Sequence, residues 1–284
     1  MTGSKMAPTS VHVIVIAGKL EQRLNIPQTD KIERKVQGVY RIFGSPQKYR
    51  PYFQDIPHIA LKRTKEIPSI KITKTEDLLK RTYTLVVYNF RNPTAQQKKR
   101  TQRLIRRSPC IRIRPGVLLF PHLKSKEMIR IYKSKNKAQL YTAQEFASKM
   151  VEFGANVARW GKLKLSGPRS QSLVERILED MIKTETDMLI DKFKKLKKDI
   201  DNPLITPKRL KARYQSLSTR YNQRKATCEI IRAVWKYSCE KQLRKVYNIM
   251  LLTRRAISEH RQGMREMVEI REIDESTTAD HQSS

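Results

Sequence analysis

The sequence predicts an α+β protein, a βαββαβ module followed by a long helical hairpin or coiled-coil arm. Three observations predict it. Between residues 82 and 167, short apolar runs bounded by Gly, Pro and Ser alternate with stretches of helical character. From 170 to 273 the apolar residues recur at helical spacing instead. The 284 residues are enough for one large domain or two small ones.

Taken in order, residues 1–10 read as a disordered start, and Val11–Ile16 as a buried strand rich in β-branched residues. Prolines at 27, 46, 51, 57 and 68 cut residues 18–80 into short pieces. Within them a helix is expected over Thr29–Val39, opening at Thr29 or Asp30. The alternating Ile67, Ile70 and Ile72 suggest a strand before Thr75–Leu79. No architecture follows for residues 11–80 as a whole.

The module is clearer. Leu85–Tyr88 is its first strand. Thr94 caps a helix that runs to Arg107, where Ser108-Pro109 stops it. Cys110–Arg114 is a second strand, Pro115-Gly116 a tight turn, and Val117–Phe120 a third strand. Thr142 caps a second helix, Ala143–Phe153, which Gly154 ends. Val157–Leu165 is the fourth strand, closed by Gly167-Pro168. This order is that of the ferredoxin-like unit. In that topology strands one and three are central and should be continuously apolar, as Leu85–Tyr88 and Val117–Phe120 are. Strands two and four are edges and should carry charge. Arg112 and Arg114 supply it in the second, and Arg159, Lys162 and Lys164 in the fourth.

Beyond the module, Leu173, Ile177, Met181, Met188 and Phe193 mark a helix face. Asp201-Asn202-Pro203 breaks it, and Pro207 takes the first position of a second helical stretch. Its apolar face includes Leu210, Tyr214, Leu217, Tyr221, Ile231, Val234, Trp235, Val246 and Met250, long enough for two helices or one arm. Residues 274–284 read as a disordered tail.

Charge indicates the partner. Sixty Lys and Arg face 27 Asp and Glu, a formal net charge of +33. Like charges at that density repel in a compact molecule, and a polyanion relieves them. From Arg91 to Pro115 there are nine cations and no acid. On a helical wheel Lys98, Lys99, Arg100, Arg103, Arg106 and Arg107 share one broad face, opposite Thr101, Leu104 and Ile105. A solvated helix ordinarily mixes signs to gain pairs one turn apart. This one forgoes them, which suits phosphate contact. With Arg91, Arg112 and Arg114 these form the first candidate nucleic-acid-binding set. The second is a hairpin, with Lys194, Lys195, Lys197 and Lys198 ending one helix and Lys208, Arg209, Lys211 and Arg213 opening the next. Cations suit a helix C-terminus, but not the first turns of the following helix.

Other chemistry is poorly represented. There is no phosphate loop ending in Gly-Lys-Ser/Thr, no HExxH and no nucleophile elbow. Neither a cofactor nor a metal is expected, since Cys110, Cys228 and Cys239 are far apart and form no CxxC or His/Cys cluster. All three read as reduced thiols of a cytoplasmic protein. Val11–Ala17 is too short to span a bilayer, so no membrane partner is expected. The expectation is a nucleic-acid-binding protein rather than an enzyme, with DNA favoured over RNA.

The span Tyr83–Gly167 resembles a ferredoxin-fold module shared by three groups. These are the C-terminal part of the phenylacetate-operon repressor PaaX, the N-terminal part of the chromate-resistance regulator ChrB, and, distantly, the CRISPR-associated small integration/nuclease family. The strand Leu85–Phe90, the basic helix 94–107 and the phrase Arg114-Pro115-Gly116-Val117-Leu118-Leu119-Phe120-Pro121 carry the resemblance. Ser172–Lys198 with Thr206–Tyr214 is similar to the two basic helices that follow the module in ChrB-like proteins. The resemblance implies a DNA-binding transcriptional regulator. A homodimer through the module or the C-terminal helices is expected as well, and the alternative reading is an assembly protein whose C-terminal helical arm pairs with a copy of itself or a partner. It covers about half of the chain. The nuclease family places an aspartate at the end of the first strand to hold metal; Asn89 stands there in this sequence. A neutral amide is a poor ligand for a hard divalent cation. The winged helix that precedes the module in PaaX-like repressors is not found in residues 18–80.

Overall fold

The structure, a computed structural model, describes residues 11–17, 32–36, 38–44, 49–65, 74–123, 140–202 and 204–280. The strand expected from Ile67, Ile70 and Ile72, the start at 1–10 and the last four residues lie outside them. The chain divides into two units, Met1–Asp180 with Ile230–Tyr237, and Met181–Glu229 with Ser238–Ser284.

The first unit is built on eight strands. β1 (Val11–Ile16), β2 (Ile32–Val36), β3 (Val39–Phe43) and β4 (His58–Arg63) precede the module, with a short α1 (Arg50–Phe53) between β3 and β4. A 3-10 helix at Thr75–Lys80 leads into β5 (Tyr83–Asn89), α2 (Ala95–Arg106), β6 (Ile111–Arg114) and β7 (Val117–Pro121). Then come α3 (Ala143–Glu152) and β8 (Asn156–Leu165). The spatial order is β2-β3-β1-β4-β8-β5-β7-β6, with every neighbouring pair antiparallel. Strands β8-β5-β7-β6 reproduce the ferredoxin-like order, with the first and third module strands at its centre.

Local chemistry fixes the register. Pro115 and Gly116 turn β6 into β7, and Gly116 has φ +76°. Proline followed by a residue with positive φ is the signature of a type II turn. A Cβ at Gly116 would lie 2.6 Å from the Tyr88 carbonyl oxygen. The Gly116 carbonyl meanwhile accepts from the Tyr88 amide at 2.8 Å, tying β5 to the turn. The continuous runs Leu85–Val87 and Val117–Phe120 are buried on both faces, as such runs require. On one face Val86, Leu118 and Phe120 pack beneath Leu104 of α2 and Phe146 and Met150 of α3. On the other lie Tyr83, Leu85, Val87 and Leu119, all fully or nearly fully buried.

Two expectations need correction here. The segment expected as a helix over Thr29–Val39 is a hairpin strand where described: β2 pairs with β3 through Gly38, and Glu33 is ion-paired to Lys35 and Arg41. Gly38, with φ +77°, provides the left-handed turn between β2 and β3, and Thr29 and Asp30 lie outside the described residues. The fourth module strand, expected as an edge, is only partly one. Its end, Leu163–Leu165, pairs with Arg63–Leu61 of β4. The stretch around Arg159 pairs with β5 alone and keeps its edge charge, whereas Lys164, also expected as an edge cation, lies in the stretch that β4 covers.

The sheet curls until its last strand, β6, approaches β1. Arg114 therefore points inward. It is 8 % exposed, and a Cβ added at Gly38 would meet its Nη1 at 1.5 Å. Replacing Gly38 by alanine is expected to destabilise the protein by about 1–3 kcal/mol, from the left-handed backbone and the displaced guanidinium together. Urea unfolding monitored by circular dichroism reads that loss directly.

β1 contributes a titration-sensitive feature. His12 is 6 % exposed, and burial, aided by the charge of Lys62, holds its imidazole below the usual value of 6.5. A hydrogen bond to the Gly44 backbone opposes this in smaller measure. Because the folded value lies below the unfolded one, the unfolded chain takes up the proton first. His12 thus contributes full stability above 6.5, and this is lost as pH falls from 6.5 towards the folded value. Unfolding midpoints should fall across that window in the native protein and fall less in a His12→Asn variant.

The second unit is helical. α4 (Pro168–Lys198), α5 (Pro207–Trp235) and α6 (Glu240–Asp280) continue from the module, and the second unit holds the latter part of α4, most of α5 and α6. Leu189, Phe193 and Leu196 of α4 pack with Leu210, Leu217 and Tyr221 of α5 and Val246, Met250 and Ile257 of α6. Arg213 bonds Asp199 at 2.6 Å across the α4–α5 hairpin, and Arg224 is ion-paired with Glu185 further along it. Phe193 of the expected α4 stripe is buried, but before it the stripe is set one residue from Leu173, Ile177, Met181 and Met188. Val174, Leu178, Ile182 and Leu189 are buried, whereas Met188 is 51 % exposed. Apolar residues flank both positions, and Thr186 joins the buried stripe by bonding its hydroxyl to the Ile182 carbonyl at 2.9 Å. The long helical stretch is two helices, broken at Lys236–Cys239. The tail expected to be disordered from 274 is helical as far as Asp280. No helix among the described residues is long and apolar enough to cross a membrane.

Candidate nucleic-acid interface

α2 is held by its cap and its inner face, which leaves its cations outside. The Thr94 hydroxyl accepts from the Gln97 amide at 3.2 Å, and the Gln97 side chain accepts from the Thr94 amide at 2.8 Å. This reciprocal box satisfies two amides that a helix start leaves without partners. The Gln97 side chain also donates to the Phe153 carbonyl at 2.7 Å, locking α2 to the end of α3. Thr101 and Leu104 are buried and Ile105 half-buried, as the wheel indicated. Lys98, Lys99, Arg100, Arg103, Arg106 and Arg107 are all exposed.

Two of these guanidiniums are positioned by aromatic rings. Arg100 lies 5.6 Å from the Phe153 centroid, and Arg107 lies 5.2 Å from that of Tyr141. A ring face attracts a cation while leaving its outer edge available to an anion. The sequence reading missed this support, because Tyr141 and Phe153 are distant in the chain and their neighbours give no signal. Arg91 and Arg112 are also exposed, so the structure brings eight of the nine cations of Arg91–Pro115 to the surface of the first unit. Arg114 is the exception. Its burial against Gly38 removes it from any phosphate surface, and desolvation lowers its affinity for the proton.

A further basic feature went unread. β4 and β8 place Lys62 directly opposite Lys164, and β1 places His12 opposite Lys62. Like charges facing across strands oppose pairing. Their register could not be foreseen while residues 18–80 lacked an architecture. Near α2, a cavity of about 290 Å³ is lined by Thr84, Phe120, His122, Tyr141, Gln144 and Arg159, among others. Arg159 approaches the Gln144 side-chain oxygen at 3.4 Å.

The second cluster belongs to the other unit. Lys194, Lys195, Lys197 and Lys198 are exposed in the last turns of α4, and Lys208, Arg209, Lys211 and Arg213 in the first turns of α5. Phe193, Leu196 and Leu210 point the other way, into the helical core. Arg213 is partly neutralised by Asp199, whose carboxylate lies 2.6 Å away.

The donor set for other chemistry is thin. Asn89 is exposed at the end of β5, opposite Asn156 of β8. Among the described residues no group of three His, Cys, Asp or Glu side chains is placed to hold a metal ion. Comparison of the chain with protein-family models, with curated proteins and with solved structures finds no match.

Proposed function

We propose that the protein binds nucleic acid by contacting phosphates, and that duplex DNA is the ligand of a regulatory role. The observation that carries the reading is α2, which exposes Lys98, Lys99, Arg100, Arg103, Arg106 and Arg107 with no acidic residue in the helix. A one-signed face forgoes favourable pairs, and a polyphosphate partner restores them. The cations of the α4–α5 hairpin supply a second phosphate-contacting surface in this reading. Phosphate contacts of this kind give affinity and register; choice of sequence comes from other groups.

The regulatory role rests on the resemblance of Tyr83–Gly167 to the PaaX- and ChrB-type modules, together with the ferredoxin-like strand order. A homodimer through the module or the C-terminal helices belongs to the same proposal. Asn89 supports holding over cutting, because an amide is a weak ligand for the divalent cation that a nuclease of this fold employs.

Purification without a high-salt wash tests the proposal. Nucleic acid should accompany the protein, be released by salt, and be degraded by deoxyribonuclease. Ribonuclease-sensitive material would replace DNA by RNA as the ligand, and protein free of any nucleic acid that also fails to bind added duplex would reject the proposal.

A further inference from the structure

The cavity beside α2 has walls that are fastened from several directions. It holds about 290 Å³ and lies where the start of β5 and the end of β7 meet the start of α3. The Tyr141 amide donates to the Arg107 carbonyl at 2.8 Å, which ties Tyr141 to the end of α2. The His122 amide donates to the Thr82 carbonyl at 2.8 Å, one step beyond the last pair of β5 with β7. The Thr142–Glu145 capping box fixes the first turn of α3, and Gln144 with it. The Pro109 carbonyl accepts from the Trp235 indole at 3.2 Å. Walls held in place beforehand lose little freedom when a ligand arrives.

The lining divides by chemistry. Pro109, Phe120 and Tyr141 offer flat apolar surface, while Thr84, Gln144 and Arg159 offer polar groups. Neither Asp nor Glu is among the lining residues. Arg159 has no carboxylate partner among the described residues, and its guanidinium reaches the Gln144 side-chain oxygen at 3.4 Å, near the limit of a hydrogen bond. The charge of the lining therefore favours an anion.

We propose that this cavity binds a nucleoside monophosphate. The base lies against Tyr141, since every base has a face that stacks on an aromatic ring. The Gln144 amide carries both donors and an acceptor, which suits the mixed edge of a base. Arg159 holds the phosphate with its paired N–H donors. The volume sets the size of the ligand. Small-molecule pockets run from about 300 to 1,000 Å³, and this one lies at the lower end, with room for a single nucleotide. An aromatic carboxylate without ring heteroatoms would meet the charge of Arg159 but offer nothing to Gln144 or Thr84. The nucleotide has two possible sources, a free molecule or the 5′-phosphorylated end of a strand. Arg107 lies 5.2 Å from the Tyr141 centroid, so the cavity and the cations of α2 share this ring. Capture of a strand end rests on nucleic-acid binding by α2; binding of the free nucleotide does not.

Calorimetric titration of the full chain with the four ribonucleoside 5′-monophosphates tests the proposal, with adenosine, inorganic phosphate and benzoate as comparison probes. At least one nucleotide is expected to saturate a single site per chain, about tenfold more tightly than any comparison probe. Arg159→Gln should weaken that nucleotide about tenfold and leave adenosine unchanged, whereas Gln144→Met should weaken both. Both side chains are exposed, so neither change disturbs the core. Glutamine at Lys99, Arg103 and Arg106 together should leave nucleotide binding intact, which keeps failure at α2 distinct from failure at the cavity. A 5′-phosphorylated dinucleotide that displaces the nucleotide, where its 5′-hydroxyl counterpart does not, identifies the strand end as the source; no displacement by either identifies the free molecule. No saturable binding up to about 1 mM, phosphate or benzoate binding as tightly as the nucleotides, affinity unchanged in Arg159→Gln, or loss of binding with the α2 cations would overturn the proposal.

Discussion

Replacing Lys99, Arg103 and Arg106 together by glutamine is expected to weaken duplex DNA binding by about 100-fold, from three lost phosphate contacts. The slope of log affinity against log salt should become shallower by about 2.7, since each neutralised phosphate contributes about 0.9. All three side chains are exposed on α2, while Thr101 and Leu104 hold the helix to the sheet. Glutamine is close to lysine and arginine as a helix former, so circular dichroism and melting temperature should be little changed. Weakening by the same factor at every duplex sequence identifies the contacts as phosphate contacts. Unaltered binding would move the interface away from α2, leaving the α4–α5 hairpin as its remaining candidate.

Trp235→Ala is expected to destabilise the first unit by about 3–5 kcal/mol. The side chain is 1 % exposed, and its ring stacks on Tyr83 at an interplanar angle of 19°. The substitution leaves a cavity beside β5 and deprives the Pro109 carbonyl of its indole partner. Pro109 lies between α2 and β6, so the basic helix is anchored at this point as well as at its cap. Trp235→Phe, which retains a ring without the indole donor, should recover most of the loss. Chemical denaturation followed by circular dichroism separates the two variants.

The module was legible because its signals are local and redundant. Thr94 and Thr142 each stand three residues before Gln97 and Glu145, and both pairs close a capping box. Leu85–Val87 and Val117–Phe120 are apolar without alternation, which already requires cover on both faces. The wheel of α2 separated Thr101 and Leu104 from the cations for the same reason. What failed was long-range. β1 to β4 pair through registers such as Ile14 with Tyr40 and with Ala60, which no local pattern encodes. Arg114 was read as an edge cation because alternation places it beside Arg112; only the curl that brings β6 to β1 turns it inward.

The central claim, that the exposed cations exist to hold phosphates, is tested most directly by measuring duplex DNA affinity across a salt series. The full chain is expected to lose affinity steeply between about 50 and 200 mM salt, with a log–log slope of about −4 or steeper, because bound phosphates release their counterions. Affinity that stays level over that range, or no measurable binding at its low end, would contradict the claim.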